Sequence, residues 1–220
     1  MIKRLTSTCI LGVLLTILSI NTFAATVPTP AGNYSSSWTP VRFDILEGLY
    51  WPKTNNAYGL ILGLPYAYVN QGTDGKSDGM ILSAVTECDN ANGLQASILN
   101  INTYNSTGLQ LAGMNVARWY KGAQVGGYNE FEESNGLQFG LCNVSSVNSD
   151  SIMFSIINYS DYNSKGFQCG VSNSAYNFEG IQLGVFNINC DNGSKGIQIG
   201  LLNYMKNGFL PYFPIFNFSK

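Results

Sequence analysis

Gly122-Ala123-Gln124-Val125-Gly126-Gly127-Tyr128-Asn129 is followed six residues later by Gly136-Leu137-Gln138-Phe139-Gly140-Leu141-Cys142-Asn143. The same eight-residue unit opens at Gly93, Gly108, Gly166, Gly180 and Gly196, and at Ser151 in one altered copy. Every copy closes on asparagine: Asn100, Asn115, Asn129, Asn143, Asn158, Asn173, Asn187 and Asn203. The third place is glutamine in all but one: Gln95, Gln110, Gln124, Gln138, Gln168, Gln182 and Gln198, with Met153 in the altered copy. Fainter copies start at Gly59 and Gly79, and a modified one at Gly208. Self-similarity at a fixed short period is the signature of a repeat architecture.

Within each unit the second and fourth places are apolar and the sixth usually so. The first, third and fifth hold Gly, Gln and a small residue. Alternation with period two specifies a strand and excludes a helix. The residues between units, such as Asp191-Asn192-Gly193-Ser194-Lys195, are turn formers. The fold expected is all-β, a tandem-repeat β-solenoid of 14–15-residue coils with capped ends. In such a stack each coil lies about 4.8 Å above the last, so that Gln meets Gln and Asn meets Asn. Each carboxamide then donates to the next, which explains why the polar places recur as faithfully as the apolar ones. The alternative is an antiparallel β-meander or β-barrel. Pairing there does not demand the same residue in every strand, but one-sided aliphatic alternation matches the lipid-out, polar-in pattern of outer-membrane barrels.

The chain divides accordingly into a signal peptide (1–24), an N-terminal leader and cap (25–58), the repeat domain (59–207) and a C-terminal cap (208–220). The first cap carries Trp38, Pro40, Trp51 and Pro52 without the repeat, and the last carries Pro211 and Pro214. Proline has no N–H to donate to a further strand. The aromatic C-terminal end is expected to cover the apolar core of the stack.

With 220 residues, 45% apolar and 11% charged, the chain suits one globular domain. Eleven Lys+Arg against thirteen Asp+Glu offer no electrostatic footprint for nucleic acid. The sequence has no histidine, which excludes a Ser-His-Asp triad and His-ligated metals. No cofactor is implied.

Met1-Ile2-Lys3-Arg4, the apolar run Ile10 to Ile20 and Thr22-Phe23-Ala24 read as an export signal cleaved after Ala24, with Ala25 as the alternative. A membrane anchor is disfavoured by Thr6, Ser7, Thr8, Thr16, Ser19 and Asn21. Loss of Lys3 and Arg4 brings the charge to 9 − 13 = −4. The expected location is the periplasm, the outer membrane or the cell surface. In an oxidising compartment Cys88, Cys142, Cys169 and Cys190 have three ways to pair. A solenoid forbids the most distant pair: Cys88 and Cys190 lie seven steps apart, about 34 Å at roughly 4.8 Å per step. These cysteines are expected to be unpaired small apolar fillers.

The G-[LIV]-Q-[LIV]-G-x-x-N unit, the opening Trp51-Pro52 with Tyr58-Gly59-Leu60, and the closing Phe209-Leu-Pro-Tyr-Phe-Pro-Ile-Phe-Asn217 together resemble the surface repeat-containing proteins of spirochaetes and other Gram-negative-type bacteria. The match spans roughly residues 45–218. The resemblance implies an envelope or surface location and carries over no catalytic residues.

Three places invite chemistry. Glu130, Glu132 and Glu133 cluster between two units, where carboxylates serve as calcium ligands or as an acid and base in glycoside cleavage. A solvated acidic turn is the simpler reading. Trp119 and Tyr120 are candidates for stacking on sugar rings, although half-buried packing beneath the turn is the commoner fate of such residues. Thr73 to Gly79 places two carboxylates beside glycines but lacks an EF-hand pattern, and reads as a loop. The function expected is therefore a secreted or envelope repeat protein with a structural or binding role toward a protein or glycan. An outer-membrane barrel and a glycan-active solenoid enzyme are the alternatives.

Overall fold

The computed structural model describes residues 35–46, 49–51, 54–69 and 76–219. The export signal, the first ten residues of the leader, Pro52 and Thr73-Asp74-Gly75 lie outside them. Residues Tyr34–Lys220 form one compact unit. Its strands are β1 (Ser35–Leu46), β2 (Leu49–Trp51), β3 (Thr54–Val69), β4 (Lys76–Cys88), β5 (Asn90–Ala96), β6 (Leu99–Phe154), β7 (Ile157–Asn189), β8 (Lys195–Met205) and β9 (Tyr212–Phe218). They form one sheet in the order β2-β1-β3-β4-β5-β6-β7-β8-β9. β6 and β7 are long because backbone pairing continues through the corners of successive coils.

Every junction from β1–β3 to β7–β8 is parallel, and only the terminal pairings, β1–β2 and β8–β9, are antiparallel. The register is that of the repeat: Gly59 faces Gly79, then Gly93, then Gly108. Gln95 faces Gln110, Gln182 faces Gln198, and Asn143 faces Asn158. The fold is thus a parallel β-solenoid, and the antiparallel meander or barrel is set aside.

The leading glycine has two physical causes. At Gly93 and Gly108 the backbone takes φ of 120° and 121°, a region that L side chains rarely enter. A Cβ on Gly108 would also stand 2.1 Å from the carbonyl oxygen of Gly93 in the rung below. The corner must therefore be glycine wherever it has this geometry. At the altered copy Ser151 replaces it, and its hydroxyl hydrogen-bonds that of Ser149.

The orientation of the coil differs from expectation. The recurring glutamines and asparagines are the interior, and the recurring aliphatics are the outside. Gln110, Gln124, Gln138, Asn115, Asn129 and Asn143 are buried, whereas Leu137 is 39% exposed and Leu201 68%. The apolar core expected from the aliphatic places is absent from this face of the stack; alternation puts the Gln and aliphatic places on opposite faces, and the closed coil turns the Gln face inward. Apolar residues enter the interior from the second half of each coil, through Ala117, Phe131, Ala175, Phe178 and Met205. A conventional apolar cluster occurs only near the N-terminal end, around Ala57, Ile61, Ala67, Val69, Ile81, Cys88 and Ala91.

β1 lacks the repeat but adopts its register, pairing Val41, Arg42 and Phe43 with Leu60, Ile61 and Leu62. Arg42 thus begins the column that Ile61, Ile81 and Gln95 continue. It is 1% exposed and held in a fork, with Nε donating to Asp44 Oδ1 at 2.8 Å and Nη2 to Oδ2 at 2.6 Å. Nη2 also donates to the Tyr68 carbonyl at 2.6 Å. A buried ion pair is tolerated only with such full hydrogen bonding. At the other end β9 reverses direction against β8 and ends the parallel stack.

All four described cysteines are thiols and not disulfides. The filler role fits Cys88, which is buried. Cys142 and Cys169 are half-buried on the aliphatic side and Cys190 is exposed, so the filler expectation fails for these three. They occupy the seventh, fourth and eleventh places, none of which points into the coil.

Candidate functional site

The predicted ladder residues assemble into two columns inside the coil. In the glutamine column each Nε2 donates to the Oε1 of the preceding rung: Gln110 to Gln95 at 2.6 Å, Gln124 to Gln110 at 2.7 Å, Gln138 to Gln124 at 3.0 Å. It resumes with Gln182 to Gln168 at 2.7 Å and Gln198 to Gln182 at 2.9 Å. Between them Met153 breaks the chain. Gln138 Oε1 has no hydrogen bond among the described residues, and Gln168 Nε2 turns to Ser160 Oγ at 3.1 Å and Met153 Sδ at 3.7 Å.

The asparagine column is unbroken and runs with the opposite polarity. Asn100 Nδ2 donates to Asn115 Oδ1 at 2.9 Å, and the series proceeds through Asn129, Asn143, Asn158, Asn173 and Asn187 to Asn203. From Asn115 to Asn187 each Nδ2 makes a second bond to a fourth-place carbonyl of the next rung, as Asn129 does to Phe139 at 3.0 Å. The amide thereby ties the corner of one coil to the strand of the next. Each such bond is worth about 0.5–1.5 kcal/mol net, and an orphaned partner costs about 1–3 kcal/mol. Both columns are architectural, sealed from solvent and closed to any ligand.

The candidate contact residues separate. Tyr120 is 4% exposed, and its hydroxyl donates to the carbonyls of Ala123 at 2.6 Å and Gly108 at 2.8 Å. Its ring therefore packs inside. Trp119 is half-buried beside Tyr104, with the Arg118 guanidinium 4.4 Å from its ring centroid. Arg118 Nε also donates to Glu132 Oε2 at 2.9 Å. Glu130 accepts from the Tyr128 hydroxyl at 3.0 Å. Burial holds the Glu130 carboxyl above its ordinary range, the Tyr128 bond opposes this, and repulsion from Glu132 adds to it. Glu133, alone of the three, lines a groove of about 430 Å³ with Asn105, Trp119, Lys121 and Asn135. The three carboxylates do not converge on that groove. Among the described residues no group of three or more Cys, Asp and Glu is placed to hold a metal ion.

The one-sided aliphatic alternation, which the sequence offered as a mark of a barrel, here forms the surface opposite the amides. Places one to seven of the ten copies from Gly59 to Leu202 contain no Asp, Glu, Lys or Arg. The second, fourth and sixth of these stand outward as columns of Leu, Ile, Val and Phe, including Leu109, Leu137, Phe139, Ile181, Leu183 and Ile199. The charged residues fall on the turns and on the second strand of the coil, at Glu87, Arg118, Glu130, Glu132 and Asp161. The signal for this was present in the sequence as units without a single charged residue at these places. No protein-family model, curated protein or solved structure matches the chain.

Proposed function

We infer that this is an exported, non-catalytic repeat protein of the bacterial envelope or surface, with a structural or binding role. The observation that carries this reading is where the recurrent residues go. Apart from the break at Met153, the recurring Gln and Asn are consumed in rung-to-rung bonds, so repetition maintains a scaffold whose working surface is its outside. That outside is divided into a charge-free aliphatic side and a polar side bearing Arg118, Glu132 and Tyr176, the arrangement of a protein that presents faces to partners. The basic start and apolar run of residues 1–24 support export.

The test is fractionation of cells producing the full chain, with mass spectrometry of its N-terminus. The expected result is a chain beginning near Ala25, recovered outside the cytoplasm. A chain retaining Met1 to Ala24 in the cytoplasmic fraction overturns the reading.

A further inference from the structure

The aliphatic columns extend beyond the repeat. On β1, Val41, Phe43 and Ile45 stand outward while Arg42 and Asp44 turn in. On β9, Phe216 and Phe218 face Ile199 and Ile197 across the last junction and are exposed. Apolar residues are thus directed outward even where the G-x-Q-x-G pattern is missing, and even where the charges had to be buried to allow it. Twelve rungs at about 4.8 Å and four residue steps at about 3.3 Å give a face of roughly 53 by 13 Å, about 700 Å². This exceeds the usual largest apolar patch of a soluble monomer, about 300–600 Å². It approaches the roughly 800 Å² per partner of a standard protein interface.

We propose that this face is covered by the same face of a second copy of the chain. Its backbone N–H and C=O groups are committed along the stack, and its side chains are aliphatic, so it offers nothing with which to recognise a polar partner. A partner must be flat, apolar and ridged at the same period. A second solenoid has an identical rise, so the ridges of one seat between those of the other over the whole length; a partner of different period loses register within a few rungs. A lipid surface is the weaker match. The turns bordering the face mix lysines with carboxylates, as in the Lys165–Glu179 pair at 3.3 Å, and form no basic collar for anionic headgroups.

The protein, purified as cells make it and kept free of detergent, is expected to sediment at twice the mass of the single chain at micromolar concentration. Leu137→Glu combined with Ile181→Glu places carboxylates in the middle of the face. It is expected to raise the dissociation constant at least tenfold, with the circular dichroism spectrum unchanged. Thiol labelling keeps the test decisive should that variant fold poorly. Cys169, in a fourth place on the face, is expected to react with maleimide at least tenfold more slowly in the concentrated protein than at nanomolar dilution. Cys190, exposed on the other side of the coil, is expected to react equally in both. A wild-type monomer at tens of micromolar overturns the proposal. So does flotation with phosphatidylcholine vesicles that the double variant abolishes, which makes lipid the occupant. Association does not depend on export, so a monomer leaves the envelope reading standing, and cytoplasmic retention leaves this one standing.

Discussion

In the first rungs the third-place column holds Ile61 and Ile81; from the next rung it holds Gln95, Gln110, Gln124 and Gln138, all at the same depth inside the coil. One region packs by excluding water from hydrocarbon, the other by satisfying each amide with the amide above and below. The boundary between them is itself satisfied. Gln95 has no amide beneath it, and Asn102 takes both its groups, donating to Gln95 Oε1 at 3.1 Å and accepting from Nε2 at 3.0 Å. The comparison teaches that a coil of this size accepts either chemistry, provided that each layer completes the next. It also explains the outside, because amides can occupy the interior only if the alternating aliphatics leave it.

The largest test of this contrast is Gln124→Leu, which makes the interior more apolar at similar volume. Burial of hydrocarbon alone predicts a gain. The ladder predicts a loss, since Gln110 Oε1 and Gln138 Nε2 are both orphaned at about 1–3 kcal/mol each, a total of about 2–6 kcal/mol. Urea unfolding measures it, and a higher midpoint at unchanged slope breaks the comparison. In the apolar region Ile81→Ala is expected to cost about 2–4 kcal/mol by leaving a cavity. A cost below about 1 kcal/mol in the same urea assay shows that the N-terminal cluster is not a packed core.

Met153→Gln sharpens the contrast in the favourable direction. The new amide has Gln138 Oε1 to donate to and Gln168 Nε2 to accept from, so a gain of about 1–2 kcal/mol is expected. Thermal unfolding that is unchanged or lower assigns the stability to something other than column continuity. The smallest effect is on the polar side. The Glu130 carboxyl is raised in the folded protein above its ordinary value of 4.5, so the unfolded chain ionises first as pH rises. This group therefore contributes nothing below pH 4.5, destabilises progressively as pH climbs through the folded pKa, and exerts its full penalty above it. Glu130→Gln retains an acceptor for the Tyr128 hydroxyl. It is expected to leave stability at pH 4 nearly unchanged and to raise it by a few tenths of a kcal/mol at pH 8. Equal stability of the two proteins at pH 8 removes the claim.

Much of the architecture was legible. The fidelity of Gln and Asn pointed to stacking of like on like, and the Ser151/Met153 copy was marked as altered before its column proved broken. The C-terminal segment carrying Pro211 and Pro214 reverses and ends the parallel stack, but its aromatics Phe209, Phe216 and Phe218 stand exposed and do not cover a core as expected. Legibility failed near the N-terminal end. Residues 35–46 show no repeat, yet they form a rung, because register in a parallel stack is set by backbone pairing and needs no particular side chain. Of the two readings of Tyr120, a sugar platform or packing beneath its turn, the second holds, since its hydroxyl is engaged by two carbonyls inside the coil.

From sequence alone came the period, the strand, and the demand that identical amides meet rung upon rung, because those follow from local alternation and from matching spacing. Alternation leaves two faces equivalent, and no local rule says which of them turns inward. Only the closed coil decided that: its interior is narrow, its corners bring glycine against carbonyl, and amides packed there complete one another's hydrogen bonds while the aliphatic side chains are left outside to find a surface of their own.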